Sequence, residues 1–158
     1  MEPDTIQVRP LGPAHASQVL GVIVRAIRAT EGKQYTSSQV QAWLQGMHED
    51  RMRAHLDSSE GLGAFEGDDL LGFASFVSAD EALEFLYVDP GAWRRGVARR
   101  LVAGIEALAR SQGASQVRVD ASLLARPTLE RLGYTVVETY RKHANGESFD
   151  NAWLSKKL

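Results

Sequence analysis

Four arginines, Arg94, Arg95, Arg99 and Arg100, fall within seven positions at the end of the run Pro90-Gly91-Ala92-Trp93-Arg94-Arg95-Gly96-Val97-Ala98 and just beyond it. The run leads into the most regular helical pattern of the chain, in which Val97, Leu101, Ile105 and Leu108 recur at helical spacing. The first turn of a helix carries unpaired N–H groups and about half a positive charge, so cations crowded there are unfavourable unless an anion joins them. A ligand with two or more negative charges would resolve the conflict. Amides and guanidinium groups would point at it, and the small Gly96 and Ala98 would let a phosphate reach the backbone. The alternative is a solvated, arginine-rich helix face, ordinary in a chain where 14 of the 18 basic residues are arginine.

The segments around this turn must position it. Leu62 to Phe65, Leu70 to Val77 and Leu83 to Val88 read as strands of an antiparallel meander, with turns at Gly67-Asp68-Asp69 and Ser78-Ala79-Asp80. Upstream, Thr5 to Arg9 reads as a short strand. Pro13 then opens a helix through Val19, Leu20, Ile23, Val24 and Ile27. Thr36 and Gln39 match a capping box for a second helix along Val40, Trp43, Leu44 and Met47, and a short third helix ends around Leu56. Downstream, Gly113 stops the arginine-led helix. A strand (Gln116 to Val119), a shorter helix (Leu123 to Arg131) and two strands (Tyr134 to Tyr140, Phe149 to Leu154) around Asn145-Gly146 complete the order. Strands and helices neither alternate strictly nor segregate. The expected fold class is therefore α/β (α+β mixed), with a central mixed, mostly antiparallel sheet of about seven strands and helices on both faces. A chain of 158 residues suits a single domain, residues 1–158.

Composition removes several classes. Hydrophobic residues at 44% and charged residues at 24% exclude wholesale disorder and fibrous repeats. The absence of cysteine excludes disulfides, thiolate metal sites and cysteine nucleophiles. On one continuous helix His48 and His55 would stand about 10.5 Å apart, too far for one metal, so no metal is expected. Ser122 lies in no Gly-x-Ser-x-Gly elbow, which disfavours hydrolysis. A net charge of −2 argues against a nucleic-acid partner. The apolar stretch Val19 to Ile27 is broken by Gly21 and Arg25 and is too short to span a bilayer. MEPDTIQVRP lacks the basic start and apolar run of a secretory signal, so no membrane partner and a cytoplasmic location are expected.

The same residues carry a family resemblance. Leu83 to Leu101, LEFLYVDPGAWRRGVARRL, resembles the acetyl-CoA signature of the GNAT superfamily of N-acetyltransferases: a strand ending in hydrophobic-Val-x-Pro, then Gln/Arg-x-x-Gly-x-Gly/Ala. Ser122 to Val137, SLLARPTLERLGYTVV, is similar to the family's Asn/Ser-x-x-Ala-x-x-Phe-Tyr-x-x-Leu-Gly-Phe segment, which passes the pantetheine arm. YTSSQVQAWL and NGESFDNAWLSKKL are similar to one bacterial branch, so the resemblance covers the whole chain. It implies a GNAT-like fold with acetyl-CoA as acetyl donor, its pyrophosphate held by Arg94, Arg95, Gly96, Val97, Ala98 and Arg99, with Ser122 beside the cofactor arm. Three positions depart from the pattern. Trp93 stands where Gln or Arg is usual, and Ala98 replaces a glycine. Leu129 stands where many members place the tyrosine that protonates the leaving thiolate, with Thr128 in place of the preceding aromatic.

Acetyl transfer to an amine needs a polarised thioester carbonyl, a deprotonated amine and an accommodated thiolate. In the family the strand before the signature bulges and splays from its parallel neighbour. Carried over here, the resemblance makes the Val88 backbone amide the donor to the carbonyl and gives Leu86 a bond to the pantetheine chain. For the base, Glu84 alternates onto the face of Leu86 and Val88, and Asp120 ends the neighbouring strand; Glu81 is a rival, and each also reads as a solvated strand-end acid. Tyr87 and Tyr140 are proton-donor candidates that packing would equally explain. Tyr35 and Trp43 would line the acceptor site in the family's variable lid, although Trp43 shares core spacing with Val40 and Met47. The function implied is an acetyl-CoA-dependent N-acetyltransferase moving acetyl directly to a primary amine of a small molecule or peptide. The alternative, prompted by Leu129 and Trp93, is a non-catalytic CoA-binding module. The resemblance further suggests a homodimer paired through the C-terminal strands around Phe149 to Leu154.

Overall fold

Side chains alternate along the strands to opposite faces of one sheet, and the helices divide between those faces. The computed structural model describes residues 5–158. In it β1 (Ile6–Leu11), β2 (Glu60–Glu66), β3 (Asp69–Val77), β4 (Ala82–Val88), β5 (Gln116–Ala121), β6 (Thr135–Ala144) and β7 (Glu147–Lys157) form a seven-stranded sheet in the order β1-β2-β3-β4-β5-β7-β6. Every neighbouring pair is antiparallel except β4 with β5. The expected mixed, mostly antiparallel architecture is present.

On one face lie α1 (Ala16–Arg28), α2 (Ser37–Gln45) and α3 (Glu49–Ser58). Val19, Ile23, Ile27 and Met52 pack there against Phe73 and Tyr87. On the other lie α4 (Val97–Ser111) and α5 (Arg126–Arg131), where Leu101, Ile105 and Leu129 pack against Ala74, Leu83, Val119 and Leu154. Leu101 and Ile105 are fully buried, each contributing about 1.5–3 kcal/mol. That burial holds α4, and the arginine turn at its start, against the sheet.

Local chemistry sets the helix ends. The capping box is made: Gln39 N donates to Thr36 Oγ1 at 3.2 Å, and Thr36 N donates to Gln39 Oε1 at 2.9 Å. Two boundaries move from their expected places. Pro13 opens a three-residue 3-10 turn, and α1 starts only at Ala16. The helix expected from Leu123 starts at Arg126, because Ser122 Oγ takes the Ala125 amide at 3.2 Å and folds residues 122–125 into a turn.

A partly buried ion pair joins the α4 face to β7. Lys156 Nζ stands 3.1 and 3.3 Å from the Glu106 oxygens and donates to the Leu132 carbonyl at 3.0 Å, while the Tyr134 hydroxyl donates to Glu106 Oε2 at 3.0 Å. β7 itself pairs with β5 on one side and β6 on the other. Phe149–Leu154 therefore offers no free strand edge to a second copy, and the edge strands of the sheet are β1 and β6.

The one parallel contact is short. β4 and β5 pair only at Ala82↔Arg118 and Leu83↔Val119, then diverge. Against β3 the register of β4 shifts: Phe76 opposes Leu83 and Ser75 opposes Phe85, so Glu84 is the extra residue of a β-bulge. The bulge puts Leu83 with Leu86 and Val88 in the α4-side core, while Phe85 and Tyr87 face the α1 side.

Candidate active site

Strand geometry orients the amides beside the gap. Backbone N–H and C=O groups point alternately to the two neighbours of a strand. Asp89 N donates to Leu71 O on the β3 side at 2.8 Å, so the Val88 amide, and by the same alternation that of Leu86, points into the gap toward β5. The Val88 carbonyl also faces away from β3, and the Trp93 indole Nε1 donates to it at 3.0 Å. Trp93 thus satisfies an acceptor that the splay leaves without a sheet partner.

Two clefts meet at this gap. One, of about 540 Å³, contains the arginine turn: Arg94, Gly96, Val97, Ala98 and Arg99 line it together with Leu86 and Val88. Arg94 (φ 67°) and Gly96 (φ 76°) are both left-handed, which folds the backbone back over the start of α4. Side chains pin the loop from outside. Asp89 Oδ1 accepts from Gly91 N at 3.0 Å, and Arg25 Nε lies 2.6 Å from Asp89 Oδ2. Arg95 Nη2 lies 2.6 Å from Glu66 Oε2, and that guanidinium, helped by the Thr5 hydroxyl, holds the Glu66 carboxyl down at about 2.

The four arginines therefore do not converge on one ligand. The side chain of Arg95 pairs with Glu66, and Arg100 Nη1 donates to the Ile6 carbonyl at 3.0 Å, so two of the cations at the helix start have protein partners. The cleft instead receives Arg94 from the loop, Arg99 from the first turn of α4 and Arg131 from α5. Arg131 was not singled out in the sequence. Its distance along the chain gives no signal, and only the packing of α5 beside the start of α4 brings it there.

The second cleft, of about 520 Å³, shares Leu86, Tyr87, Leu124 and Ala125 with the first, so the two join at the splay. Asp120 and Glu84 both line it. The Tyr140 hydroxyl donates to Asp120 Oδ2 at 2.5 Å, Asn151 Nδ2 donates to Oδ1 at 3.0 Å, and Lys142 Nζ stands 3.8 Å from Oδ2. Burial first, then the bond to Asp120, raises the pKa of the Tyr140 hydroxyl above its ordinary value. Glu84 is exposed on the bulge with no hydrogen bond or ion pair among the described residues. Glu81 lies elsewhere: its Oε2 accepts from Ser115 N at 2.8 Å, closing the turn before β5.

The remaining expected residues divide. Trp43 lines the second cleft and meets Tyr35, Tyr87 and Phe149 at centroid distances of 5.2, 6.3 and 6.2 Å. Tyr35 lines the second cleft too, although it is only 3% exposed; its hydroxyl accepts from Leu123 N at 2.9 Å, which also makes it a strut under the 122–125 turn. Ser122 lines the second cleft and caps that turn, while the arginine cleft takes Leu124 and Ala125 from it. Leu129 is fully buried beside the cleft, with no hydroxyl to give. Tyr87 lines both clefts, and burial raises its pKa. Among the described residues no group of three or more His, Asp or Glu side chains could hold a metal, and no helix is long and apolar enough to cross a membrane.

The model of the acetyltransferase (GNAT) domain matches residues 31–150. The chain belongs to the GNAT acetyltransferase family. It is 32% identical over 154 residues to the uncharacterized N-acetyltransferase YafP of Escherichia coli (strain K12), covering 98% of this chain and 97% of that protein. The crystal structure of a GCN5-related N-acetyltransferase from Rhodopseudomonas palustris superposes with a TM-score of 0.91 at 29% identity, over 100% of this chain and 99% of that one. The PaiA N-acetyltransferase of Thermoplasma acidophilum, solved in complex with coenzyme A, shares the fold at a TM-score of 0.80 and 16% identity, over 98% and 100% of the two chains.

As a GNAT acetyltransferase, the chain has a splay between β4 and β5 that gives chemical meaning to the two clefts. A gap where main-chain amides face an enclosed space is suited to polarising a carbonyl oxygen. The loop at its lower end, with two left-handed residues and, around it, the guanidinium groups of Arg94, Arg99 and Arg131, is suited to a diphosphate. A Cβ built on Gly96 would stand 3.4 Å from Arg99 Nη2, an ordinary contact, so what favours glycine there is the left-handed φ of 76°.

Proposed function

We propose that this GNAT protein transfers the acetyl group of acetyl-CoA directly to a primary amine carried by a small apolar molecule or by the first residue of a short peptide. The observation that carries the reading is the junction of the two clefts at the β4–β5 splay, with the Val88 amide on one wall and Asp120 at the end of the other strand. The fit to a CoA diphosphate rests on the Gly96 loop with Arg94, Arg99 and Arg131; Arg95 contributes its backbone rather than its guanidinium. The apolar body of the acceptor is argued from Trp43, Phe85 and Phe149 in the second cleft.

Bound acetyl-CoA supplies the activated acetyl group: the amine nitrogen forms a bond to the acetyl carbon, the carbon–sulfur bond breaks, and the thiolate takes its proton from solvent. The chain's own residues do the rest. The Val88 amide donates to the carbonyl oxygen as negative charge develops on it. Asp120 takes the amine proton, directly or through one water. Its geometry favours it over Glu84: Tyr140 and Asn151 lock both oxygens in place and still leave an acceptor position on Oδ1, whereas nothing fixes the Glu84 carboxylate.

The test is Asp120→Asn, assayed against a panel of primary amines. A general base is worth about 10²–10⁴ in rate, so kcat falls at least ~100-fold while KM for acetyl-CoA stays within about threefold. A kcat within a few-fold of the parent's removes Asp120 from the role. Tight CoA binding without turnover by the unmodified protein on any amine would favour the non-catalytic module that Leu129 first suggests.

A further inference from the structure

Ser75 and His55 line neither cleft, yet both act on the strand that forms the splay. Ser75 is fully buried in β3, and its Oγ accepts from the Phe85 amide at 3.2 Å. Phe85 directly follows Glu84, the residue that the β3–β4 register skips. A bulge disrupts the ladder at this point, and a buried amide left over must find another acceptor. The serine hydroxyl is that acceptor. His55 Nε2, on α3, lies 2.7 Å from the same Oγ, and the imidazole meets the Phe85 ring edge-on at 4.7 Å.

We infer that Ser75 and His55 form a positioning pair that locks the β4 bulge and thereby aims the Leu86 and Val88 amides into the gap; its catalytic consequence rests on the donor role given above to Val88. The proton count supports it. A serine hydroxyl has one hydrogen and two lone pairs, so an Oγ that accepts from Phe85 keeps its hydrogen for His55 Nε2. With the imidazole neutral and its proton on Nδ1, Nε2 accepts that hydrogen; the Phe85 amide, the Ser75 hydroxyl and Nε2 are then all paired, and the hydroxyl is held in one rotamer. Burial, and secondly the Arg51 guanidinium one turn earlier on α3, hold the imidazole below its ordinary pKa. From β3 the imidazole faces Ser75 and from β4 the Phe85 ring. α1, β2 and the Pro13–His15 turn also pack on α3, and Arg51 is the one charge acting on the imidazole among the described residues. Protonation would turn Nε2 into a donor and leave the Ser75 hydrogen buried without a partner.

Ser75→Ala, with His55→Gln and His55→Leu beside it, tests the pair by amide hydrogen exchange and kinetics on the same proteins. In Ser75→Ala the Phe85 amide exchanges about tenfold faster, the worth of one buried hydrogen bond, and kcat falls by a similar factor. The dissociation constant for CoA, held mainly by the loop at the far end of β4, rises by less than kcat falls, because only the Leu86 bond to the pantetheine chain is disturbed. Glutamine keeps an acceptor for the Ser75 hydrogen, so His55→Gln retains Phe85 protection and loses its dependence on pH below neutrality, whereas His55→Leu behaves like Ser75→Ala. Unchanged Phe85 exchange in both Ser75→Ala and His55→Leu overturns the inference, as does an equal weakening of CoA binding. If exchange accelerates while kcat holds, the pair stands and the donor role of Val88 fails. If Ser75→Ala does not fold, the contrast between the two His55 variants decides alone.

Discussion

Gly96 is the most exposed point of the reading to experiment. Its φ of 76° lies where an L-residue pays about 1–2 kcal/mol, and a β-branched side chain more. Gly96→Val therefore has two consequences. At roughly 2–4 °C per kcal/mol for a chain of this size, the melting temperature falls by about 2–8 °C. The larger effect is on the ligand. The valine Cβ starts 3.4 Å from Arg99 Nη2, and its methyl groups occupy the space over the loop amides. Hydrogen bonds from amides to a charged phosphate are worth about 1.5–3 kcal/mol each, so losing two weakens CoA binding by roughly 10² to 10⁴. Calorimetric titration with CoA measures this directly. Gly96→Asn separates the two effects, because asparagine tolerates the left-handed region but still fills the cradle: its melting temperature stays near the parent's while affinity falls. A valine variant that binds CoA with unchanged affinity would refute the placement of the diphosphate on this loop.

Restoring a tyrosine at position 129 does not repair the missing acid: Leu129 is fully buried, so Leu129→Tyr overpacks the α5 side and costs about 1–3 kcal/mol, read as a lower melting temperature without a gain in kcat. Acid stability tracks Glu66, whose carboxyl is depressed from 4.5 to about 2 by Arg95. Because the folded value is the lower one, its stabilisation is fully present above pH 4.5 and is lost as pH falls toward about 2; urea midpoints measured across that window drop in the parent and flatten in Glu66→Gln.

The layout of the fold was open to reading because the periodicities are clean. The stripe of Val97, Leu101 and Ile105 recurs in the structure as a buried face, and the apolar runs of β2 and β3 recur as strands buried on both faces. The capping residues Thr36 and Gln39 do what their spacing says. What escaped were effects that depend on tertiary placement. Nothing in the spacing of Arg95 distinguishes it from Arg94, yet Glu66, 29 residues earlier, draws one away while the other stays in the cleft. Asp120 looks like any strand-end acid until β6 and β7 bring Tyr140, Lys142 and Asn151 to it. Tyr35 lines the second cleft, but the turn its hydroxyl supports is invisible without the fold. The bulge at Glu84 is likewise a property of two strands in register and not of either one alone.

The position of β7 constrains how the molecule is assembled. It follows β6 in the chain but sits between β5 and β6, so β5 can pair with β4 alone until residues 147–157 are laid in as a central wedge along its other edge. A polypeptide halted before Glu147 already contains the whole arginine loop, but it lacks Phe149, Asn151 and Trp153 from the wall around Asp120. The loop at the start of α4 is thus complete in sequence well before the final hairpin, whereas the wall around Asp120 closes only when β7 zips onto β5.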